Sequence, residues 1–211
     1  MDALAKILLA YLLGSIVGSL VLGRLRGIDI RTQGSGNAGG TNALRTQGAA
    51  FALGVIVIDV AKGWFAAAVL PSLPIGLGAG PPPLWLPSAC GLAATLGHVY
   101  PAFFGLRGGK GAATLIGAVA GLAPTAMPLM LLVWLAMVMV LGFVGLATMT
   151  AAVALPLSIL AVGAVPRGPL LLFGLAAAGF VIYTHRSNIA RMRAGTEPRA
   201  KRLWIFGRGR A

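Results

Sequence analysis

Long apolar runs separated by polar, glycine-rich turns organise this chain. The first, Ala3 to Gly23, is interrupted only by Lys6 and matches the roughly 20 residues needed to cross a hydrocarbon core. A second extends from about Gly48 to Leu70 and a third from Leu84 to Phe104. From Gly111 to Val165 there are 55 residues without a formal charge, and Arg167 to His185 forms a final run. Pro71 to Pro83, uncharged and rich in proline and glycine, reads as an exterior loop. In the first run Gly14, Ser15, Gly18 and Ser19 have the small-residue spacing that lets membrane helices approach closely.

Composition settles the solvent. Of 211 residues, 58% are hydrophobic and 10% charged, and the mean hydropathy is +0.90, so the chain reads as an all-α integral membrane protein. The net charge of +13 would point to nucleic acid in a soluble protein. Here the cations flank apolar runs, where they read as cytoplasmic anchors facing anionic membrane lipids, and nucleic acid is not an expected partner. Arg24, Arg26 and Arg31 follow the first run rather than precede it and no A-x-A pattern ends it, so it is expected to remain as a helix with its N-terminus outside. Eight of the seventeen Lys and Arg residues lie in the C-terminal tail, which is expected in the cytoplasm. An odd number of crossings between Gly111 and Val165 is then required, and three short helices bring the total to about seven. The layout is one polytopic domain, residues 1–211, with cytoplasmic loops at about 24–47 and 103–111 and a basic tail at 186–211. The lone Cys90, within an apolar run, reads as packing.

Two loops carry candidate chemistry. GHVYPAFFGLRGGKGAAT, from Gly97 to Thr114, sets Gly105, Gly108, Gly109 and Gly111 around Arg107 and Lys110; glycines bring backbone N–H groups close to an anion while the cations hold it. GSGNAGGTNALR, from Gly34 to Arg45, repeats that chemistry with Gly34, Gly36, Gly39, Gly40 and Arg45. Ser35, Asn37, Thr41 and Asn42 add hydroxyl and amide groups near the start of the next helix, where the helix dipole favours an anion. Two such loops point to two phosphorylated ligands. Gly34 to Gly39 also fits G-x-G-x-x-G, but a membrane helix and an arginine-rich linker stand where a dinucleotide fold needs a strand. A P-loop is excluded by Phe104 and Gly111 at its required Gly and Ser/Thr positions. Four acidic residues leave no carboxylate pair for hydrolysis and no carboxylate-rich metal cage; no metal and no cofactor are expected. The H-x-x-x-x-D pair of common glycerolipid acyltransferases is absent, since Phe103 and Ala190 occupy the fifth positions after His98 and His185. Asp59 and Lys62, one turn apart in an apolar run, read as a self-neutralising pair facing the protein interior. His185 and Asn188 end the last run at the membrane level expected of the glycine loops, where a third wall of a site would stand.

These three segments, the last continuing as HRSNIARMRAGTEPR, resemble the three motifs of the bacterial acyl-phosphate-dependent glycerol-3-phosphate acyltransferase family. They cover under a quarter of the chain, occur in the family's order, and the intervening runs resemble its seven-helix plan. The resemblance implies transfer of a fatty acyl group from a long-chain acyl phosphate to the 1-hydroxyl of sn-glycerol 3-phosphate. The products would be lysophosphatidic acid and inorganic phosphate, in the first step of phospholipid synthesis at the cytoplasmic face of the bacterial inner membrane. It also implies roles around the phosphates for Ser35, Arg45, Lys110, His185 and Asn188, assisted by the glycine N–H groups. Either the substrate's phosphate or His185 would take the hydroxyl proton. The competing readings are a transporter or channel for a phosphorylated solute, which the one-sided polar clusters and the lack of an internal repeat disfavour, and a non-catalytic scaffold, which leaves the paired loops unexplained.

Overall fold

The computed structural model describes residues 2–75, 81–200 and 203–207, and every regular element among them is helical. The centre of the expected exterior loop, 76–80, and parts of the basic tail, 201–202 and 208–211, lie outside the described residues. The chain divides into two compact units, Met1–Leu122 and Ala123–Ala211.

The first unit contains α1 (Asp2–Gly14), α2 (Gly18–Leu25), α3 (Gly40–Gln47), α4 (Ala49–Trp64), α5 (Leu86–Val99) and α6 (Ala112–Leu122). The first apolar run, expected as one continuous helix, is instead broken between Gly14 and Gly18 and bent by 48°. Local chemistry explains the break. Val17 is extended, with φ −80° and ψ 116°, and the Ser15 hydroxyl donates to the Tyr11 carbonyl at 2.9 Å and accepts from the Ala102 N–H at 3.1 Å. A break inside an apolar segment frees backbone groups that lipid cannot satisfy. The freed Ile16 carbonyl and Gly18 N–H are taken by Lys62 and Asp59, which lie on α4. Lys6 is likewise satisfied internally, donating to the Pro71 carbonyl at 2.7 Å.

Small residues set the packing distance. Gly14 lies against the Ala94 backbone and Gly97 against the Tyr11 carbonyl, so a Cβ at either position would collide with the partner backbone, and α1 and α5 meet at closest range there. One buried cluster gathers Val17, Ile30, Phe51 and Val55. Another joins Ala10, Leu70, Leu86 and the free thiol of Cys90, which is fully buried as packing. Beyond Trp64, α4 continues through a π-helical stretch, Phe65–Val69, and a 3-10 turn, Leu70–Ser72.

The second unit holds α7 (Met127–Leu141), α8 (Val144–Ala161), α9 (Arg167–Thr184) and α10 (Arg186–Arg193), with α8 packed against both α7 and α9. The uncharged stretch from Gly111 to Val165 thus carries three helices, α6, α7 and α8. Among the described residues, Ala49–Ser72, Val144–Ala161 and Arg167–Thr184 are long and apolar enough to cross a membrane, and the bent α1–α2 pair is a fourth if counted as one span. Part of the tail folds back on its own unit: Arg199 stacks on Phe143 and Trp204, 4.8 and 4.1 Å from the ring centroids.

Candidate active site

The Gly34–Arg45 loop is fixed from inside. Asn42, 2% exposed in the first turn of α3, accepts the Ser35 N–H on Oδ1 at 3.0 Å and donates from Nδ2 to the carbonyls of Gln33 at 3.0 Å and Ile30 at 3.3 Å. Gly34 has φ +55°, and a Cβ there would strike Asn42 Oδ1, so glycine is required by both conformation and space. Asn42, expected among the phosphate ligands, therefore spends its amide on loop shape. Asn37 folds against Gly39, the N-cap of α3, and Gly40 opens the helix. Ser35, Gly36, Thr41 and Arg45 are exposed. The Ala38 carbonyl accepts the Ser19 hydroxyl of α2 at 2.9 Å, tying the loop to the broken helix.

The second loop turns back along the end of α5. After a 3-10 turn, Ala102–Phe104, the Gly108 N–H donates to the Val99 carbonyl at 3.0 Å and the Gly109 N–H to the His98 carbonyl at 3.1 Å. Arg107 is exposed, Lys110 half-buried, and Gly109 and Gly111 buried immediately before α6. Gly111 takes φ +85° at that junction.

Arg31 locks the two loops together. Its Nη1 donates to the carbonyls of Phe104 at 2.9 Å and Arg107 at 3.0 Å, while Nη2 pairs with Asp29 Oδ2 at 2.7 Å. Those hydrogen bonds hold the Asp29 carboxyl below its ordinary value of 3.8 and raise the Arg31 guanidinium, with weak burial opposing both. A cavity of about 690 Å³ opens beside the junction, lined among others by Leu20, Arg24, Gly36, Phe104, Arg107 and Gly108. Its lining mixes apolar side chains with guanidinium groups and backbone of both glycine loops, a setting for an amphiphilic anion.

In the second unit, His185 caps the C-terminus of α9 and is buried. Its Nδ1 lies 2.8 Å from the Val181 carbonyl, which can only accept, so Nδ1 carries the proton and Nε2 is the basic nitrogen. Asn188, on α10 against Gly145, donates from Nδ2 to Glu197 Oε1 at 2.6 Å, and Arg191 Nε donates to Glu197 Oε2 at 2.7 Å. Each unit thus presents its own part of the expected set: Ser35, Arg45, Arg107, Lys110 and the glycines in the first, His185 and Asn188 in the second.

Sequence reasoning passed over Asp29 and Glu197, took Arg31 only as a topology cation and weighed His98 only for an H-x-x-x-x-D pair. A signal was available: with four acidic residues in the whole chain, each one retained beside apolar runs has a partner to hold. Asp29, Asp59 and Glu197 each bind a cation here.

Comparison with known proteins extends these geometries. A family model described as glycerol-3-phosphate acyltransferase matches residues 4–195. The glycerol-3-phosphate acyltransferase of Aquifex aeolicus (strain VF5) is 37% identical over 199 residues, covering 94% of this chain and 100% of the relative. The crystal structure of PlsY, an integral membrane glycerol 3-phosphate acyltransferase, in its glycerol 3-phosphate form superposes with a TM-score of 0.82 at 36% identity, covering 94% of this chain and 96% of that one. For its lysophosphatidic acid form the TM-score is 0.83 at 35% identity, covering 98% and 99%. The family model spans the first helix through α10, and the chain belongs to the glycerol-3-phosphate acyltransferase family.

Proposed function

We propose that this chain is a multi-pass membrane acyltransferase that moves a fatty acyl group from a long-chain acyl phosphate to the 1-hydroxyl of sn-glycerol 3-phosphate, releasing lysophosphatidic acid and inorganic phosphate. The observation that carries the reading is the similarity of nearly the whole chain to PlsY, solved in glycerol 3-phosphate and lysophosphatidic acid forms. The missing H-x-x-x-x-D pair supports acyl phosphate, already an activated donor, over an acyl-thioester.

The glycerol hydroxyl oxygen attacks the acyl carbonyl carbon, the carbon–oxygen bond to phosphate breaks, and phosphate departs with the bonding electrons. Catalysis then consists of orientation and stabilisation of the developing oxyanion. Lys110, Arg45 and Ser35 bind substrate phosphate, with Arg107 at the rim. Gly34, Gly39, Gly40 and Gly111 supply N–H groups, Asn37 its amide and Thr41 its hydroxyl; Gly36, Gly108 and Gly109, expected to offer N–H groups, spend them on the Gln33, Val99 and His98 carbonyls and supply close approach, while Asn42 shapes the loop. Asn188, oriented by Glu197, completes the set with His185. Two bases are chemically competent for the hydroxyl proton: a phosphate oxygen of the substrate and His185 Nε2. His185→Gln separates them, since turnover within about tenfold of wild type assigns the proton to phosphate.

The chain crosses the bacterial inner membrane seven times, N-terminus outside, with the loops at 24–47 and 103–111 and the tail from 186 on the cytoplasmic side. Tail cations not engaged internally hold anionic headgroups, at about 1 kcal/mol each. Purified protein in detergent tests the function directly. Acyl phosphate plus glycerol 3-phosphate should give lysophosphatidic acid without a sealed vesicle and far faster than acyl-CoA. Absence of turnover in detergent, with solute uptake in proteoliposomes, would establish the transporter reading.

A further inference from the structure

Asp59, Lys62 and His98 are 1%, 4% and 2% exposed and take no part in the chemistry above. Three charged or titratable side chains buried among apolar helices carry a large desolvation cost and call for a reason. Asp59 Oδ1 accepts from the Gly18 N–H at 3.1 Å and from Lys62 Nζ at 2.8 Å. Lys62 Nζ also reaches the Ile16 carbonyl at 2.8 Å and His98 Nδ1 at 3.0 Å. An ammonium has three protons and no acceptor, and here it faces three groups: a carboxylate, a carbonyl and an imidazole nitrogen. His98 Nδ1 also lies 3.3 Å from Asp59 Oδ1, so one edge of the imidazole is held by both members of the pair.

The Nε2 edge has a definite neighbour. A Cβ on Gly109 would run into His98 Nε2 and would lie 3.1 Å from the Ala38 carbonyl, so the imidazole, the second glycine loop and the first converge on one point. One residue later stands Lys110. We propose that Asp59, Lys62 and His98 form a positioning device. Asp59 and Lys62 close the break before α2 and hold the Nδ1 edge of His98, and the His98 ring seats Gly109 against Ala38, which sets where Lys110 meets phosphate. The inference rests on the phosphate role of Lys110 proposed above.

A double-mutant cycle on turnover tests it. His98→Asn keeps an acceptor for Lys62 but removes the ring edge beneath Gly109. It should lower kcat by about 10- to 100-fold, the scale of a 1 Å misplacement, at unchanged insertion and melting temperature, and His98→Gln, which reaches the Nε2 position, should recover most of it. In a Lys110→Met background the same His98→Asn change should add less than about threefold. Losses that multiply, or a His98→Asn enzyme with wild-type kcat, overturn the positioning role. A neutral Lys110→Met variant would instead refute the phosphate reading, so the two single variants keep the two failures separate.

Discussion

The proposed roles of single charges are testable residue by residue. Lys110→Met keeps much of the apolar stem while deleting a charge-assisted hydrogen bond. It should cost roughly 2 to 4 kcal/mol of transition-state stabilisation, about thirty- to a thousandfold in rate, with insertion intact. The matched control is Arg193→Met, an exposed cation at the end of α10, expected to leave turnover near wild type. Arg199 looks equally peripheral in sequence but is unsuitable, because it stacks on Phe143 and Trp204. Asp29 gives a pH signature. Its folded pKa is lowered from 3.8 by Arg31, so the stabilisation it lends the loop junction is fully present above the ordinary value and is lost as pH falls through the lowered one. Proteolytic nicking between residues 26 and 36 should therefore rise only below about pH 4, and Asp29→Asn should nick readily at pH 7. Equal nicking of Asp29→Asn and wild type at pH 7 would show that the Asp29–Arg31 pair does not hold the loop. His98 shows why such residues escape a reading of sequence: its partners are 36 and 39 positions away, and no local spacing announces them.

At the scale of elements, hydropathy made the apolar helices legible but not their interruptions. Ala3 to Gly23 reads as one span, and only the buried Asp59–Lys62 pair on another helix makes the break after Gly14 affordable in an apolar setting, since it takes the Ile16 carbonyl and Gly18 N–H. Small residues were legible as packing, and the structure shows which ones are at closest range. Gly97→Ala should destabilise by about 1 to 3 kcal/mol, because its Cβ meets the Tyr11 carbonyl on α1 and neither helix backbone can yield cheaply. Gly179→Ala, with nothing within 4 Å of the added Cβ on α9, should be neutral or slightly stabilising through helix propensity. Thermal unfolding in one detergent compares the pair. Equal shifts would show that α1 and α5 are not held at that range. The glycine loops were recognisable from composition, whereas Arg31, the brace between them, looked like one more topology cation until its acceptors on the second loop were seen.

At the scale of the whole molecule, the shorter helices do not reach across a bilayer by their own length. At 1.5 Å per residue, α6 with 11 residues rises about 16 Å and α5 with 14 about 21 Å, against a hydrocarbon core near 30 Å. Seven crossings then require flanking turns at membrane depth, or local thinning of the bilayer. In the proposed topology a short α6, Ala112–Leu122, would begin its crossing just after Gly111, which would set the second glycine loop below the headgroup plane, within reach of an acyl chain held in lipid. A cysteine at Thr125, exposed between α6 and α7, discriminates the alternatives. In a Cys90→Ala background, a membrane-impermeant maleimide should label Thr125→Cys and Val165→Cys in intact cells, and Ala102→Cys only after the membrane is opened. Labelling of Thr125→Cys solely from inside would mean that α6 enters and leaves by the cytoplasmic face. The chain between the GGKG loop and the tail would then cross an odd number of times, placing the glycine loops and His185 on opposite sides, where they could not serve one reaction.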